Sequence, residues 1–435
     1  MRLRDIHKED IGLLRQCDTT RPYMGTDPEF FVAGPRNKVL ASDKFFYGKD
    51  DKKAEFYDAG CDDDEDEKMK LFFDGIQAEI NVPHSVCRET TAHYIRIALR
   101  RAENIVKKKG DKAHHLVMKP SVRVSQGVID GADDEARRFG CMPDFNAYSG
   151  TQNTPEMDAS RHLFRYAGGH IHIGISSGYA QKGTKEYVIA KTEEGHIKII
   201  KLIDYLVGLM LIMLDKGPAA NRRRTKYGKA GCFRPTPYGI EYRTPSCWWL
   251  KSPIGQSLMF GLARTAWNLC ISGLEDKFKE LTNYNEENVR GVLDEGNVKE
   301  AKKIWANVRP VIAVTGARTH HPLNVFSGRE SGTFPAYTEV NDILKIAADG
   351  EQPRLEHIRG MKKDDSTYVF TLPAIEWMIK NGPDCIIGDN VAKEWNFGDR
   401  DTFHKLNGVI TGCYQKLHND KEYAKFQSDF YKNVL

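Results

Sequence analysis

The chain has 435 residues, of which 40% are hydrophobic and 29% are charged, and its formal net charge is +4. These values are typical of an ordinary globular protein, and so small a net charge gives no strong case for a nucleic-acid or membrane partner. Nine cysteines without a CxxC pair favour a reduced, cytoplasmic protein over a disulfide scaffold or a zinc module.

The amino-terminal segment MRLRDIHKED has no apolar stretch, so we expect no signal peptide. In chain order, strands are predicted at 29–46, 69–82, 115–124, 163–176 and 239–244, and helices at 87–108, 197–214 and 254–272. The helix near 197–214 contains Lys201 and Asp204 and is too short to cross a membrane. The acidic run 62–67 is interpreted as a solvated loop, and the basic segment 221–231 as a turn.

Strands and helices alternate along the chain without the regular spacing of βαβ units. We therefore predict an α+β fold, with a mostly antiparallel sheet and helices packed on its other side. From about residue 285 the pattern becomes helical and charged. No internal repeat is present in the sequence.

Four strand-like segments share one pattern, in which two polar residues stand two positions apart. Because side chains alternate between the two faces of a strand, both members of each pair point the same way. The pairs are Asp27 and Glu29, Glu79 and Asn81, His170 and His172, and Glu241 and Arg243. Four such strands would make one sheet with a charge-dense face, and such a face is costly to bury without partners. The pattern therefore predicts a cleft that holds metal ions and an anionic ligand.

The sharpest single motif is GGHIHIG, which places His170 and His172 on one face and isoleucines on the other. One histidine alone is about as often a structural residue as a ligand. Two on one face favour metal binding or donation to a phosphate oxygen. Gly168 and Gly169 are expected to let a ligand approach the backbone closely.

Two glutamates, Glu29 and Glu79, are predicted ligands of a hard cation such as Mg²⁺, which takes oxygen ligands. The alternative is an exposed position at a sheet edge, but both stand in apolar runs that indicate burial. Glu241 and Arg243 form either a buried ion pair or a metal-ligating carboxylate beside a phosphate-binding guanidinium. The same design on three other strands favours the second interpretation.

A basic cluster follows the apolar helix. It comprises Arg222, Arg223, Arg224, Lys226 and Lys229, and Arg234 comes shortly after. These cations either offset the dipole at a helix C-terminus or clamp phosphate, since guanidinium binds phosphate oxygens bidentately.

The sequence contains no P-loop, no Rossmann GxGxxG and no GxSxG. It does contain, in order, DPEF, DGxxxEINVP, FGCMPDFNA, GGHIHIG, RRxxYGKAGxFR and PYGIEYRTPS. This order resembles the phage-type COOH–NH2 ligase (amidoligase) family of the glutamine synthetase and glutamate–cysteine ligase superfamily. Each segment is weak alone, but the set is specific, and the resemblance covers about residues 22–270.

The resemblance implies a glutamine synthetase-like curved, mostly antiparallel sheet, with helices on its convex face. Its concave face would bind ATP and two or three Mg²⁺ or Mn²⁺ ions. The implied metal ligands are Glu29, Glu79, Glu241 and His170. Arg243, Arg224 and His170 are the expected catalytic residues, and His172, Arg223, Arg234 and Lys229 the expected nucleotide contacts. Many relatives have Glu-x-Glu where this chain has Asp27-Pro28-Glu29, so Asp27 is not counted as a ligand.

The implied function is ATP-dependent ligation of a carboxylate to an amine through an acyl phosphate, carried out by residues 1–284. Residues 285–435 would form a mainly helical extension packed on that domain. The substrates would be small molecules, peptides or protein side chains, contacted by segments 139–162 and 315–332. Three alternatives stay open: a phosphotransferase of the guanidino-kinase type, a non-catalytic phage binding or virion-associated protein, and a metal-dependent hydrolase that would not need ATP. The expected location is the cytoplasm, that of the host if a phage encodes the chain.

Overall fold

A computed structural model describes residues 6–14, 22–57, 68–86, 88–138, 144–153, 159, 161–175, 182–312, 315, 372–397 and 421–434. The predicted acidic loop 62–67 lies outside the described residues. Parts of the predicted substrate segment 139–162, and all but the first residue of 315–332, also lie outside them.

The described strands form three sheets. The first sheet has the order β1 (Tyr23–Gly25), β13 (Ile171–Gly174), β15 (Gly239–Tyr242), β14 (Cys232–Thr236), β10 (Asp144–Asn146) and β11 (Gln152–Asn153). The second has the order β3 (Val39–Leu40), β2 (Glu29–Ala33), β7 (Gln77–Asn81), β6 (Met69–Asp74) and β4 (Tyr47–Gly48), with β5 (Glu55–Phe56) on β6 and β8 (His115–Val117) on β2. The third pairs β9 (Ser121–Arg123) with β12 (Phe164–Tyr166).

Among the described strands, only the pairing of β4 with β6 is parallel. The predicted α+β class with a mostly antiparallel arrangement is therefore confirmed. The curved glutamine synthetase-like form of the sheet stays a prediction.

Helices fill the intervals between strands and most of the described carboxyl-terminal part. They are α1 (Lys8–Leu14), α2 (Arg88–Lys109), α3 (Gln126–Asp130), α4 (Lys185–Lys191), α5 (Glu193–Ile203), α6 (Leu209–Leu214), α7 (Pro218–Lys226), α8 (Pro253–Ser272), α9 (Glu275–Leu281), α10 (Glu286–Glu295), α11 (Val298–Ile312), α12 (Leu372–Asn381), α13 (Val391–Glu394) and α14 (Lys421–Val434). A π-helical turn, Asp204–Gly208, joins α5 to α6, so the predicted apolar helix near 197–214 is one continuous element. No helix among the described residues is long and apolar enough to span a membrane.

Two predicted strands are each divided between sheets, and one predicted turn is a helix. The strand predicted at 115–124 breaks before Pro120 and supplies β8 and β9. The strand predicted at 163–176 breaks at residues 167–170 and supplies β12 and β13. The basic segment is helical up to Lys226, because Pro218 stands in the first turn of α7, where its missing N–H costs nothing.

The apolar sides of β13, β14 and β15 pack against helices. Ile171, Ile173 and Ile240 are buried, and α5 contacts both β14 and β15. The hydroxyl of Tyr242 on β15 donates to Asp204 Oδ1 at 2.6 Å, in the π-helical turn. The residues between these positions, His172 and Glu241, therefore point away from the helices.

Described residues near the carboxyl terminus contact the amino-terminal part. Trp395 Nε1 donates to the carbonyl oxygen of Leu250 at 2.8 Å, and Arg96 Nε donates to the carbonyl oxygen of Trp395 at 2.9 Å. Within residues 285–435, Glu376 accepts from Trp305 Nε1 at 2.6 Å and pairs with Arg309 Nη1 at 2.8 Å. The division into residues 1–284 and 285–435 stays a prediction.

Candidate metal and nucleotide site

The two larger sheets adjoin where β1 leads into β2. Asp27 lies in the three-residue connection between these strands. The connection is fixed on both sides, because Thr26 Oγ1 donates to the carbonyl oxygen of His170 at 2.6 Å and Glu29 N donates to that of Gly168 at 2.8 Å. The expectation that all four polar pairs belong to one sheet is thus corrected. They come from strands of two sheets and from residues next to those strands, namely Asp27, His170 and Arg243.

The first ligand set consists of Asp27, His172 and Glu241, which offer ligand atoms within 4.8 Å of one another. His172 on β13 stands directly opposite Glu241 on β15. Burial acts to raise the pKa of Asp27, but the charges of His172 and His170 hold it well below its usual range. Asp27 is therefore a carboxylate at neutral pH, in the geometry of a cation ligand.

The second ligand set consists of Glu29, Asp74 and Glu79, whose carboxylate oxygens also lie within 4.8 Å of one another. Glu29 and Glu79 are directly opposite in β2 and β7. Burial and the nearby charge of Asp74 raise the pKa of Glu29 to about 8. Burial and the charges of Asp27, Asp74 and Glu29 raise the pKa of Glu79 well above its usual value. Three carboxyl groups packed this closely repel one another unless protons or cations neutralise them.

One buried atom in these sets, Glu79 Oε1, makes no hydrogen bond to any described residue. A buried polar atom without a partner costs free energy, whereas a bound cation would satisfy it. Carboxylate oxygens with one imidazole nitrogen suit Mg²⁺ or Mn²⁺ better than a soft metal. The residues present therefore fit a divalent cation at each set.

His170 lies beside the first ligand set, and both of its ring nitrogens are engaged. Its Nδ1 is 3.0 Å from Asp27 Oδ1 and 3.3 Å from Glu241 Oε1, and its Nε2 is 2.7 Å from the hydroxyl of Tyr227. Burial and the charge of Arg243 lower the pKa of His170. For His172, burial acts in the same direction, but Asp27 raises its pKa overall.

Two arginines contact Glu241. Arg234 on β14 pairs with both carboxylate oxygens, through Nε at 2.7 Å and Nη2 at 2.8 Å, and its side chain is 32% exposed. Arg243 is buried and reaches Glu241 Oε1 at 2.5 Å, the Tyr227 hydroxyl at 2.8 Å and Asp144 Oδ2 at 3.6 Å. Positive charge thus stands directly beside the first ligand set.

The other predicted nucleotide contacts have different surroundings. Arg223 is buried and donates to the carbonyl oxygens of Thr244 and Arg243. Arg224 Nη2 donates at 2.9 Å to the carbonyl oxygen of Asp215, which ends α6. This contact matches the interpretation of the basic cluster as cations at a helix C-terminus.

Lys229 has an exposed side chain, and its backbone carbonyl accepts from Thr244 Oγ1 at 2.9 Å. The charge of Arg223 acts to lower the pKa of Glu29 in the second ligand set, but no hydrogen bond or ion pair between described residues joins Arg223, Arg224 or Lys229 to either set. Their role at phosphate stays a prediction.

The close approach expected at the glycines of GGHIHIG is made by the protein itself. A Cβ on Gly168 would lie 2.3 Å from His170 Nε2, and a Cβ on Gly169 would lie 2.3 Å from the carbonyl oxygen of Ser246 and 2.5 Å from Trp249 Nε1. The expectation that these glycines leave room for a ligand is wrong. They allow the chain to cross between sheets against packed side chains.

Several site residues were not predicted from the sequence. Asp27 is not among the ligands that the resemblance implies, and neither Asp74 nor Tyr227 is among the predicted site residues. The segment DGIQAE carried the signal for Asp74, since a two-residue turn between β6 and β7 pairs it with Gln77 and so places it on the face of Glu79. Asn81, predicted beside Glu79, is half-buried at the end of β7.

Residues 191–292 match the sequence model of a family described as phage phiEco32-like COOH.NH2 ligase-type 2. The matched part includes the basic cluster, Arg234, Glu241 and Arg243, but not Glu29, Glu79 or the two histidines. The predicted family resemblance is confirmed over these residues. A comparison with curated proteins gave no match.

Proposed function

We propose that this protein is an ATP-dependent ligase that joins a carboxylate to an amine, with Mg²⁺ or Mn²⁺ held by the first and second ligand sets. The observation that carries the proposal is the pair of adjoining ligand sets, in the second of which the buried Glu79 Oε1 lacks a hydrogen bond to any described residue. The family match at residues 191–292 supports the reaction class, because its description names COOH.NH2 ligation.

The proximity of the two sets supports a shared ligand. Asp27 of the first set raises the pKa values of Glu79 and Asp74 in the second, so its charge acts on both. A polyphosphate substrate is the class of ligand that bridges neighbouring divalent cations. When bound, these cations would neutralise charge on the phosphates and on the transferred group.

The proposed reaction follows from carboxylate chemistry, since a carboxylate oxygen is a poor leaving group. Its oxygen attacks the γ-phosphorus of ATP, the bond between the β-bridging oxygen and that phosphorus breaks, and ADP leaves. The amine then attacks the acyl carbon, phosphate leaves, and the amine loses a proton to a base.

The chain's own contribution is to position charge. Arg234 stands at the partly exposed side of Glu241 and would exchange one carboxylate oxygen for a phosphate oxygen. Arg243, fixed by Glu241, Asp144 and Tyr227, would keep its charge beside the cation of the first set. A carboxylate of either set that is not bound to a cation is a candidate base for the amine proton.

Mass spectrometry of a cell extract treated with the protein, ATP and Mg²⁺ tests this function. We expect a new species lighter by one water than the sum of two consumed metabolites or peptides, together with ADP and phosphate. Glu241→Gln, which loses a candidate ligand, is the control for contaminating enzymes. A species heavier by one phosphoryl group would indicate the phosphotransferase instead, and consumption that does not need ATP would contradict the proposal.

A further inference from the structure

A patch of positive charge lies on the third sheet, a two-stranded ribbon, and on α7, which packs against β9. It is built around Phe164 on β12. Arg123 on β9 stands directly opposite Phe164, and the guanidinium of Arg222 on α7 lies 4.1 Å from the centroid of the Phe164 ring. His162 packs beside the same ring, and Lys226 follows Arg222 by one turn of α7. We call these five residues the ribbon patch.

No described carboxylate offsets the charge of the ribbon patch. Arg123, Arg222 and Lys226 form no ion pair with a described residue. Burial and the charges of Arg165 and Lys226 lower the pKa of His162, and no acidic group acts in the other direction. Arg222 and Lys226 are moreover like charges four positions apart on a helix, an arrangement that destabilises the helix. An anionic partner would offset this repulsion.

The ribbon patch adjoins the second ligand set through β12. Four residues after Phe164, Gly168 N donates to Glu29 Oε2 at 2.5 Å. At the rise of an extended chain, Phe164 and Gly168 are on the order of 10 Å apart. Lys226 likewise precedes Tyr227, whose hydroxyl contacts a histidine of the site. A ligand that reaches both the patch and the ligand sets must therefore be longer than a free amino acid.

The groups that the ribbon patch presents favour carboxylates over nucleic-acid bases. Proteins that hold single-stranded nucleic acid stack the bases on open aromatic rings. Here Arg222 covers one face of Phe164, and Tyr166 is 5% exposed with its hydroxyl 2.9 Å from His162 Nε2. The guanidinium and ammonium groups of the patch suit carboxylates. An acidic polypeptide supplies these carboxylates together with the carboxyl and amino groups that the proposed reaction joins.

We propose that the ribbon patch docks an acidic segment of a polypeptide substrate, whose reacting carboxyl or amine group lies at the ligand sets. This inference rests on the proposed function and selects a peptide or protein from among the substrate classes that the sequence leaves open. Arg123, Arg222 and Lys226 would contact side-chain carboxylates of the segment. They would hold the substrate without contacting the nucleotide.

Binding of a fluorescein-labelled peptide of ten glutamates to the full-length protein, followed by fluorescence anisotropy, tests this docking surface. We expect saturable binding at low salt that weakens as salt is added, because exposed charges are screened. Arg123→Glu and Lys226→Glu should each weaken the binding by about tenfold, since each reverses an exposed charge that faces the peptide.

Lys302→Glu is the matched control, because it makes the same change of charge at an exposed position of α11, outside the ribbon patch. It should alter the affinity for the peptide by less than about twofold. Thermal unfolding shows whether each variant folds, and Lys226→Glu carries the test should Arg123→Glu fail to fold. Equal losses of affinity in Lys302→Glu and in the two patch variants would overturn the inference, as would an unmodified protein that does not bind the peptide.

A single-stranded thymidine oligonucleotide of the same charge tests the class of partner. We expect it to bind more weakly than the peptide, and tighter binding of the oligonucleotide would overturn the choice of an acidic polypeptide.

Titration with a non-hydrolysable ATP analogue and Mg²⁺ separates this inference from the proposed function. Arg123→Glu should bind the analogue like the unmodified protein, and a loss of that binding would overturn the docking role. Normal binding of the analogue without binding of the peptide would overturn the docking surface and leave the ligase proposal intact. Absence of analogue binding to the unmodified protein would overturn both.

Discussion

Arg234 holds both carboxylate oxygens of Glu241, with its Nε 2.7 Å from Oε2 and its Nη2 2.8 Å from Oε1. The two residues are directly opposite in β14 and β15. Arg243 contacts Glu241 from the buried side. One carboxylate is therefore paired with two guanidinium groups, of which Arg243 is buried and Arg234 is partly exposed. This difference allows the role of charge in catalysis to be separated from its role in stability.

We expect Arg243→Ala to destabilise the fold and Arg234→Ala to leave it almost unchanged. Loss of Arg243 leaves Asp144 and Glu241 buried beside a cavity, and removing one partner of a buried ion pair costs about 3–5 kcal/mol. Arg234 is partly exposed and Glu241 keeps Arg243, so the cost there should be about 1 kcal/mol. Urea unfolding measures both. Equal losses of stability in the two variants would contradict the proposal that Arg234 serves to contact a phosphate of the substrate and not to stabilise the fold.

Arg224→Ala should lower stability by about 2 kcal/mol, because a buried charged donor to the carbonyl of Asp215 and to Asn221 is lost. The apparent affinity for ATP should change by less than about twofold, since its guanidinium is engaged away from both ligand sets. Urea unfolding measures the stability of the variant, and calorimetric titration of the same preparation with ATP measures its affinity. A large loss of ATP affinity with unchanged stability would restore the sequence-based prediction that Arg224 binds phosphate.

Glu79→Gln should stabilise the metal-free protein and weaken its response to Mg²⁺. The substitution removes a buried carboxyl that faces Glu29, Asp74 and Asp27, so the repulsion among these groups falls. In the unmodified protein a cation at one hundred times its dissociation constant adds about 2.7 kcal/mol to the unfolding free energy. Thermal unfolding with EDTA and with Mg²⁺ measures both effects, and Glu300→Gln is the control, because this carboxylate on α11 is partly exposed and belongs to neither ligand set. A Mg²⁺ response equal to that of the unmodified protein would exclude Glu79 as a ligand.

Asp204 should make the stability fall as the pH rises from about 4 to about 7. Burial raises the pKa of this carboxyl from 3.8 to about 7, so in this range the folded state binds a proton that the unfolded state has released. The effect reaches on the order of 4 kcal/mol above pH 7, at about 1.4 kcal/mol for each pKa unit.

Asp204→Asn should remove this slope, because the amide does not titrate. Chemical unfolding at pH 4.5, 5.5, 6.5 and 7.5 compares it with the unmodified protein, and with Asp276→Asn, whose carboxylate is 88% exposed. An unchanged slope in Asp204→Asn would show that other groups set the pH dependence.

Periodicity predicted the polar face correctly where the residues lie in or next to paired strands. His172 and Glu241 are direct neighbours, and the isoleucines between the polar positions are buried under helices, as alternation requires. Glu29 and Glu79 are likewise opposite one another. Local pattern suffices there, because the period of a strand fixes which side chains share a face.

The same reasoning fails for residues whose position depends on contacts between sheets. Asp27 lies in a connection, and its place between the histidines follows from hydrogen bonds to residues 168 and 170, about 140 positions away in the sequence. Tyr227 and Tyr238 meet the histidines from loops, at separations that no local period encodes. The charges of Arg222, Arg223 and Arg224 predict a turn, whereas Pro218 starts a helix that includes these residues.

The central claim is that the two ligand sets hold the cations on which nucleotide binding depends. Isothermal titration of a non-hydrolysable ATP analogue, with Mg²⁺ and then with EDTA, tests it most directly. We predict binding only with Mg²⁺, and loss of that binding in Glu29→Ala and in Glu241→Ala, with both variants still folded by circular dichroism. Unchanged affinity in EDTA, or normal affinity in both folded variants, would contradict the account.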